Sequence, residues 1–110
     1  MDLDIDTHEQ GGWWVVAVRG EVDVATAPRL RESVISVVSK GRRGVVVDLD
    51  AVDFIDSTGL GVLVGALKRV KTHGGELRVV CTNSRVLNVF EITGLDGVFE
   101  ITASVDEATS

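Results

Sequence analysis

What most constrains this 110-residue chain is a hydrophobic period that switches repeatedly along its length. The stretches WWVVAV (13–18), GVVVDL (44–49) and ELRVVC (76–81) are rich in β-branched residues and predict strands. In the first two the apolar run is nearly unbroken, which predicts burial on both faces of the sheet. The segments between them have helical spacing instead. Ala27, Leu30, Val34, Val37 and Val38 form one apolar stripe, with Thr26 as cap, Pro28 in the first turn and Gly41 as the stop. Leu60, Leu63, Val64, Leu67 and Val70 form a second stripe within TGLGVLVGALKRVKTHGG (58–75). Lys68, Arg69, Lys71 and His73 suit the negative end of that helix dipole, and Gly74-Gly75 end it.

Shorter elements complete the pattern. MDLDIDT (1–7) alternates and predicts a half-exposed strand, joined through Gly11-Gly12 to an antiparallel neighbour. NSRVLNVFEITG (83–94) predicts a short helix capped by Asn83 or Ser84, with Leu87 and Phe90 inward and Gly94 after its end. GVFEI (97–101) predicts a last strand, and SVDEATS (104–110) a short helix or a frayed tail. The order is ββαβαβαβ(α), an α/β fold with a mixed sheet of four to five strands and about four helices. The length suits a single domain over 1–110.

Composition narrows the function. A formal charge of −6, from 17 acidic and 11 basic residues, argues against binding nucleic acid or an anionic membrane. The N-terminus MDLDIDTHEQ has neither the basic nor the apolar part of a signal peptide. Cys81 stands alone, so no intramolecular disulfide is expected, and a cytoplasmic, reducing home follows. It reads as a buried small hydrophobe. His8, placed at a hairpin tip, and His73 have polar neighbours and no zinc spacing, so neither metal nor cofactor is expected. Trp13 and Trp14 read as core and hairpin packing, while Asp48 and Asp50 face solvent or cap turns.

The stretch DFIDSTGLG (53–61) concentrates the chemistry. A nucleophilic serine needs a histidine base, but His73 lies roughly 24 Å along the same helix at about 1.5 Å per residue. DSTGLG also lacks the G-x-S-x-G spacing of a nucleophile elbow. Glycines at 59, 61 and 65 give neither a Walker A sequence nor G-x-G-x-x-G. VVVDLD suggests a phospho-aspartate receiver, but the acidic doublet and late lysine of that device are missing. As local structure, Ser57 reads as the helix N-cap, Thr58 as the first helical residue and Asp56 as an acid suited to the positive dipole end. The glycines resist a purely structural reading, because each costs helix stability relative to alanine. Gly61, Val62, Gly65, Arg69 and Thr72 lie opposite the apolar stripe and make a smooth, partly apolar face that a partner could approach.

GEVDVATAP (20–28), VVVDLDAVDFIDSTGLGVLVGALKRVKTHGGELRVV (45–80) and VFEITGLDGVFEI (89–101) together resemble the bacterial anti-sigma factor antagonists, the stand-alone STAS domains, over essentially the whole chain. The resemblance implies a partner-switching protein rather than an enzyme. In such a protein the unphosphorylated form binds a GHKL-type serine-kinase anti-sigma factor and frees the sigma factor. The kinase phosphorylates the serine after the aspartate, here Ser57, and a PP2C-type phosphatase reverses the step. It also implies that Asp23, Asp56, Thr58 and Gly59 neighbour the phosphosite. Asp53 adds a further carboxylate nearby. Gly61, Val62, Gly65 and Arg69 are the expected partner-binding face of a monomer or weak dimer. A small nucleotide-binding domain using the same helix end, or a scaffold subunit in a larger STAS assembly, are the alternatives.

Overall fold

In a computed structural model, which describes residues 2–41 and 44–110, β1 (Leu3–Gln10) and β2 (Trp13–Val22) form the expected hairpin. Met1, the first residue of the MDLDIDT stretch, lies outside the described residues. Gly11 and Gly12 both take positive φ, +59° and +83°, which supplies the tight reversal between the strands. His8 sits within β1 opposite Val15, not at the tip. The chain continues through α1 (Ala27–Ser39), β3 (Gly44–Ile55), α2 (Ser57–Thr72), β4 (Glu76–Val80), α3 (Ser84–Ile92), β5 (Glu100–Thr102) and α4 (Val105–Thr109). The sheet order is β1-β2-β3-β4-β5; only the β1–β2 pair is antiparallel. The element order and mixed sheet agree with the pattern read from the sequence.

Alternation along the central strands divides the core between two faces. Val16, Val45, Val47 and Val79 join α1, α2 and α3 in the main apolar cluster. Val15, Val46 and Val80 point the other way, against Ala108 and Val105 of α4. Both faces are therefore covered, as the continuous apolar runs require. The two indoles are half-buried on opposite faces, Trp14 against the main cluster and Trp13 against the smaller one. Arg78 lies over the Trp13 ring at 4.4 Å and Lys40 over the Trp14 ring at 4.5 Å.

Two local expectations are corrected. β3 runs to Ile55, well past the apolar segment ending at Leu49. Its pairing with β2 shifts register between Ala17 and Arg19 and again between Gly20 and Glu21, each time with an extra residue on β3. These bulges break the alternation that makes a strand legible. Asp48 and Asp50 belong to the first bulge: Asp48 accepts the Asp50 amide at 3.0 Å, and Asp50 accepts the Thr82 amide at 2.6 Å and its hydroxyl at 2.9 Å. GVFEI is only partly strand, because a 3-10 turn covers Leu95–Gly97 and β5 begins at Glu100. In α3, Phe90 is fully buried and half-buried Leu87 packs against the same core, as expected, and Val86 is fully buried beside them. Phe90 meets Phe99 edge-on, with ring centroids 5.7 Å apart.

Candidate functional site

The residues singled out in DFIDSTGLG gather at the ends of β2 and β3. The Asp56 amide donates to the Val22 carbonyl at 3.2 Å and ties the start of α2 to the loop leaving β2. This bond brings Asp23, next after Val22, to the same end of the sheet as Ser57.

The Asp23 carboxylate is committed to its own loop. It accepts the amides of Ala25 at 2.9 Å and Thr26 at 3.0 Å. The Thr26 amide, first among these donors, holds the carboxyl below its ordinary pKa. Thr26 does not cap α1 with its side chain. Its hydroxyl donates to the Glu21 carbonyl at 2.8 Å and accepts the Asp23 amide at 2.9 Å. The hydroxyl thus closes the 21–26 loop, and the Asp23 carboxylate shapes the same loop.

The cap of α2 is also not the expected residue. Asp56 is the N-cap, in an extended conformation, and its carboxylate accepts the Gly59 amide at 3.0 Å. Ser57 is already helical and is exposed. The hydroxyls of Ser57 and Thr58 make no hydrogen bond among the described residues, and neither backbone amide finds an acceptor there. A primary hydroxyl thus stands free at a helix N-terminus beside unpaired amides, which suit an anion. His73 is the C-cap at the far end of α2, where its Nδ1 lies 2.8 Å from the Arg69 carbonyl oxygen. His73 therefore stands at the opposite end of α2 from Ser57 and is no base for its hydroxyl.

The α2 glycines divide into two kinds. Gly59 is buried, and a Cβ there would come 2.6 Å from Val22 Cγ1 and 2.8 Å from Ile55 Cγ1. It is a packing glycine that lets the helix start sit on the strand ends. Gly61 and Gly65 are exposed, and a Cβ at either meets nothing within 4 Å. Packing does not require glycine at these two positions. They share an outer face with exposed Arg69 and Thr72 and half-buried Val62, as the helical spacing predicts. Val64 is only half-buried, and Ala66, absent from the expected stripe, is buried instead.

Two features escaped the sequence reading. Val24 is 72% exposed and Phe54 48% exposed, so two large apolar side chains stand open at the Ser57 end of the sheet. Arg31 of α1 lines a groove shared with Thr58, Gly61, Val62, Gly65 and Arg69 of α2. Arg31 and Ile35 lie four residues apart beside the buried stripe, a spacing that puts both on the flank facing α2. Asp53 is exposed and lines a separate cleft with Phe54 and Arg85. Cys81 is buried, and desolvation raises its thiol pKa. Among the described residues no three His, Cys, Asp or Glu side chains gather as a metal site, and no helix is long and apolar enough to cross a membrane.

Residues 4–108 match the family model of the STAS domain. The chain is 39% identical over 101 residues to an anti-sigma-B factor antagonist of Staphylococcus aureus, covering 92% of this chain and 94% of that protein. It is 37% identical over 103 residues to the anti-sigma-B factor antagonist of Bacillus subtilis, covering 94% of each. The crystal structure of an anti-sigma factor antagonist from Mycobacterium paratuberculosis superposes with a TM-score of 0.90 at 31% identity, covering 97% of this chain and 91% of that one.

Proposed function

The chain belongs to the STAS domain family, and from that premise we propose that it is an anti-sigma factor antagonist switched by phosphorylation of Ser57. Unphosphorylated, it binds a GHKL-type serine-kinase anti-sigma factor in the cytoplasm and releases the sigma factor. Phosphorylated, it lets the kinase go, and a PP2C-type phosphatase restores it. It works as one domain and is the kinase's substrate, not an enzyme. The relatives named anti-sigma-B factor antagonists support this reading.

The observation that carries the proposal is the state of the Ser57 hydroxyl. It is exposed on the first residue of α2 and makes no hydrogen bond among the described residues, where Asp56 has taken the capping role. A kinase can reach it without unfolding the helix. Adding a phosphoryl group brings about −1.5 to −2 charges and three acceptor oxygens. Unpaired amides and the dipole stabilise that charge within this chain, so the fold survives. The partner surface that had met a neutral hydroxyl instead meets charge and bulk. Release is local and needs no refolding.

The test is phosphorylation in vitro. The chain is incubated with ATP and each purified serine-kinase anti-sigma factor of its source organism, and the phosphate is mapped by mass spectrometry. Phosphate on Ser57, its loss in Ser57→Ala, and kinase binding retained in Ser57→Ala but lost in Ser57→Glu are expected. Phosphate on Thr58 alone would overturn the assignment of the residue. Equal binding by both variants would overturn the switch.

A further inference from the structure

The groove between α1 and α2 has a volume of about 320 Å³ and starts beside the switch residue. Val34 and Ala66 are buried in its floor, and Ile35 and Val62 are half-buried along it. Gly61 and Gly65 open its α2 wall, where a Cβ would meet nothing. Arg31 and Arg69 line it, and neither guanidinium has an ion pair or hydrogen bond among the described residues. Among the described residues no carboxylate lines it. In a chain of net charge −6, this apolar strip with two unpartnered cations is locally inverted in sign.

We propose that this groove seats an acidic amphipathic helix of the partner, with apolar side chains on the Val34–Val62–Ala66 floor and carboxylates on Arg31 and Arg69. The proposal rests on the antagonist reading above and specifies the chemistry of the partner's contact. The α2 wall from Thr58 to Arg69 runs about 16 Å at roughly 1.5 Å per residue, which matches about three turns of a helix. Glycines four residues apart let a second backbone approach closely. Arginine forms a bidentate pair with a carboxylate, which fixes register as well as charge.

The arrangement also links docking to the switch. Thr58 lies at one end of the groove and follows Ser57 directly. A phosphoryl group on Ser57 therefore sits at the mouth of a groove holding an acidic occupant. Like charges then add to steric bulk in driving release.

The probe is each purified serine-kinase anti-sigma factor of the source organism, titrated calorimetrically against the chain at low and at physiological salt. Wild type is expected to bind one of them more weakly as salt rises. Arg31→Glu with Arg69→Glu is expected to weaken binding by roughly tenfold or more, the range of an interface anchor. Gly65→Leu, which fills the groove from the α2 side, is expected to do the same. Both variants are expected to keep the wild-type circular dichroism spectrum. An Asp→Lys or Glu→Lys change on the kinase helix is expected to restore binding to the double arginine variant. Undiminished, salt-independent binding by both variants would overturn the groove while leaving the antagonist reading intact. Loss with Gly65→Leu alone would overturn the acidic character of the occupant. Failure of every kinase to bind wild type would overturn the antagonist reading itself, and the groove proposal with it.

Discussion

The Asp56 carboxylate accepts the Gly59 amide at 3.0 Å and so caps α2 in place of the serine that follows it. This one bond assigns the DSTG residues their parts. Asp56 holds the helix start, Gly59 packs it on Val22 and Ile55, and Ser57 is left with a free hydroxyl.

Stability therefore separates the two adjacent residues. Asp56→Ala is expected to cost about 1 kcal/mol, the usual worth of an N-cap. Ser57→Ala is expected to change stability by less than about 0.5 kcal/mol, as surface changes away from structural features do. Urea denaturation of the two variants checks this. A larger loss in Ser57→Ala would return the capping role to the serine.

The glycines of α2 should respond with opposite signs. Gly59→Ala drives a Cβ into Val22 and Ile55, and overpacking of this kind costs about 1–3 kcal/mol. Gly61→Ala and Gly65→Ala enter open space, so each is expected to stabilise by about 0.5–1 kcal/mol through helix propensity. Denaturation midpoints measured alongside wild type distinguish the three. A stabilised Gly59→Ala would refute the packing role of that glycine.

The Asp23 loop should lose its support in acid. The carboxyl ionises more easily in the folded chain than its ordinary value of 3.8, because the Thr26 and Ala25 amides stabilise the charged form. Its contribution is therefore present above that value and lost as pH falls through the lower folded value. The stability difference between wild type and Asp23→Ala is expected to be larger at pH 7 than well below 3.8. Thermal melts of both proteins across that range measure it. A constant difference would mean that the carboxylate charge contributes nothing to the loop.

Cys81 behaves in the opposite sense. Burial raises its pKa above 9.0, so the folded chain holds the thiol proton more tightly than the unfolded chain does. Its contribution is intact below the unfolded value and is lost as pH rises through the folded one. Alkylation of the native protein at neutral pH is expected to be far slower than after denaturation in urea, as followed by mass spectrometry. Equal rates would show that the thiol is accessible.

Much of this molecule was legible in its sequence because its apolar residues keep strict periods. Val45–Val47, the Leu30–Val34–Val37 stripe and the Leu60–Leu63–Leu67 stripe each declare an element, and their alternation implies a mixed sheet covered on both faces. The position of DSTG before the second long helix was equally plain. Residue order left other features undecided. The second half of β3 was hidden because two bulges, set by pairing with β2, break its period. The choice of cap between Asp56 and Ser57 depends on where the chain turns out of β3, and a preference for Asp or Ser at that position does not settle it. Gly59 and Gly65 are the same residue in one helix, yet the first faces Val22 and Ile55 and the second faces open space. Arg31 joins Arg69 in one groove only because α1 and α2 pack side by side. Local periodicity determines which residues a helix or strand turns inward. What stands across from each of them is decided by contacts between segments far apart in the chain, and only the tertiary structure supplies those.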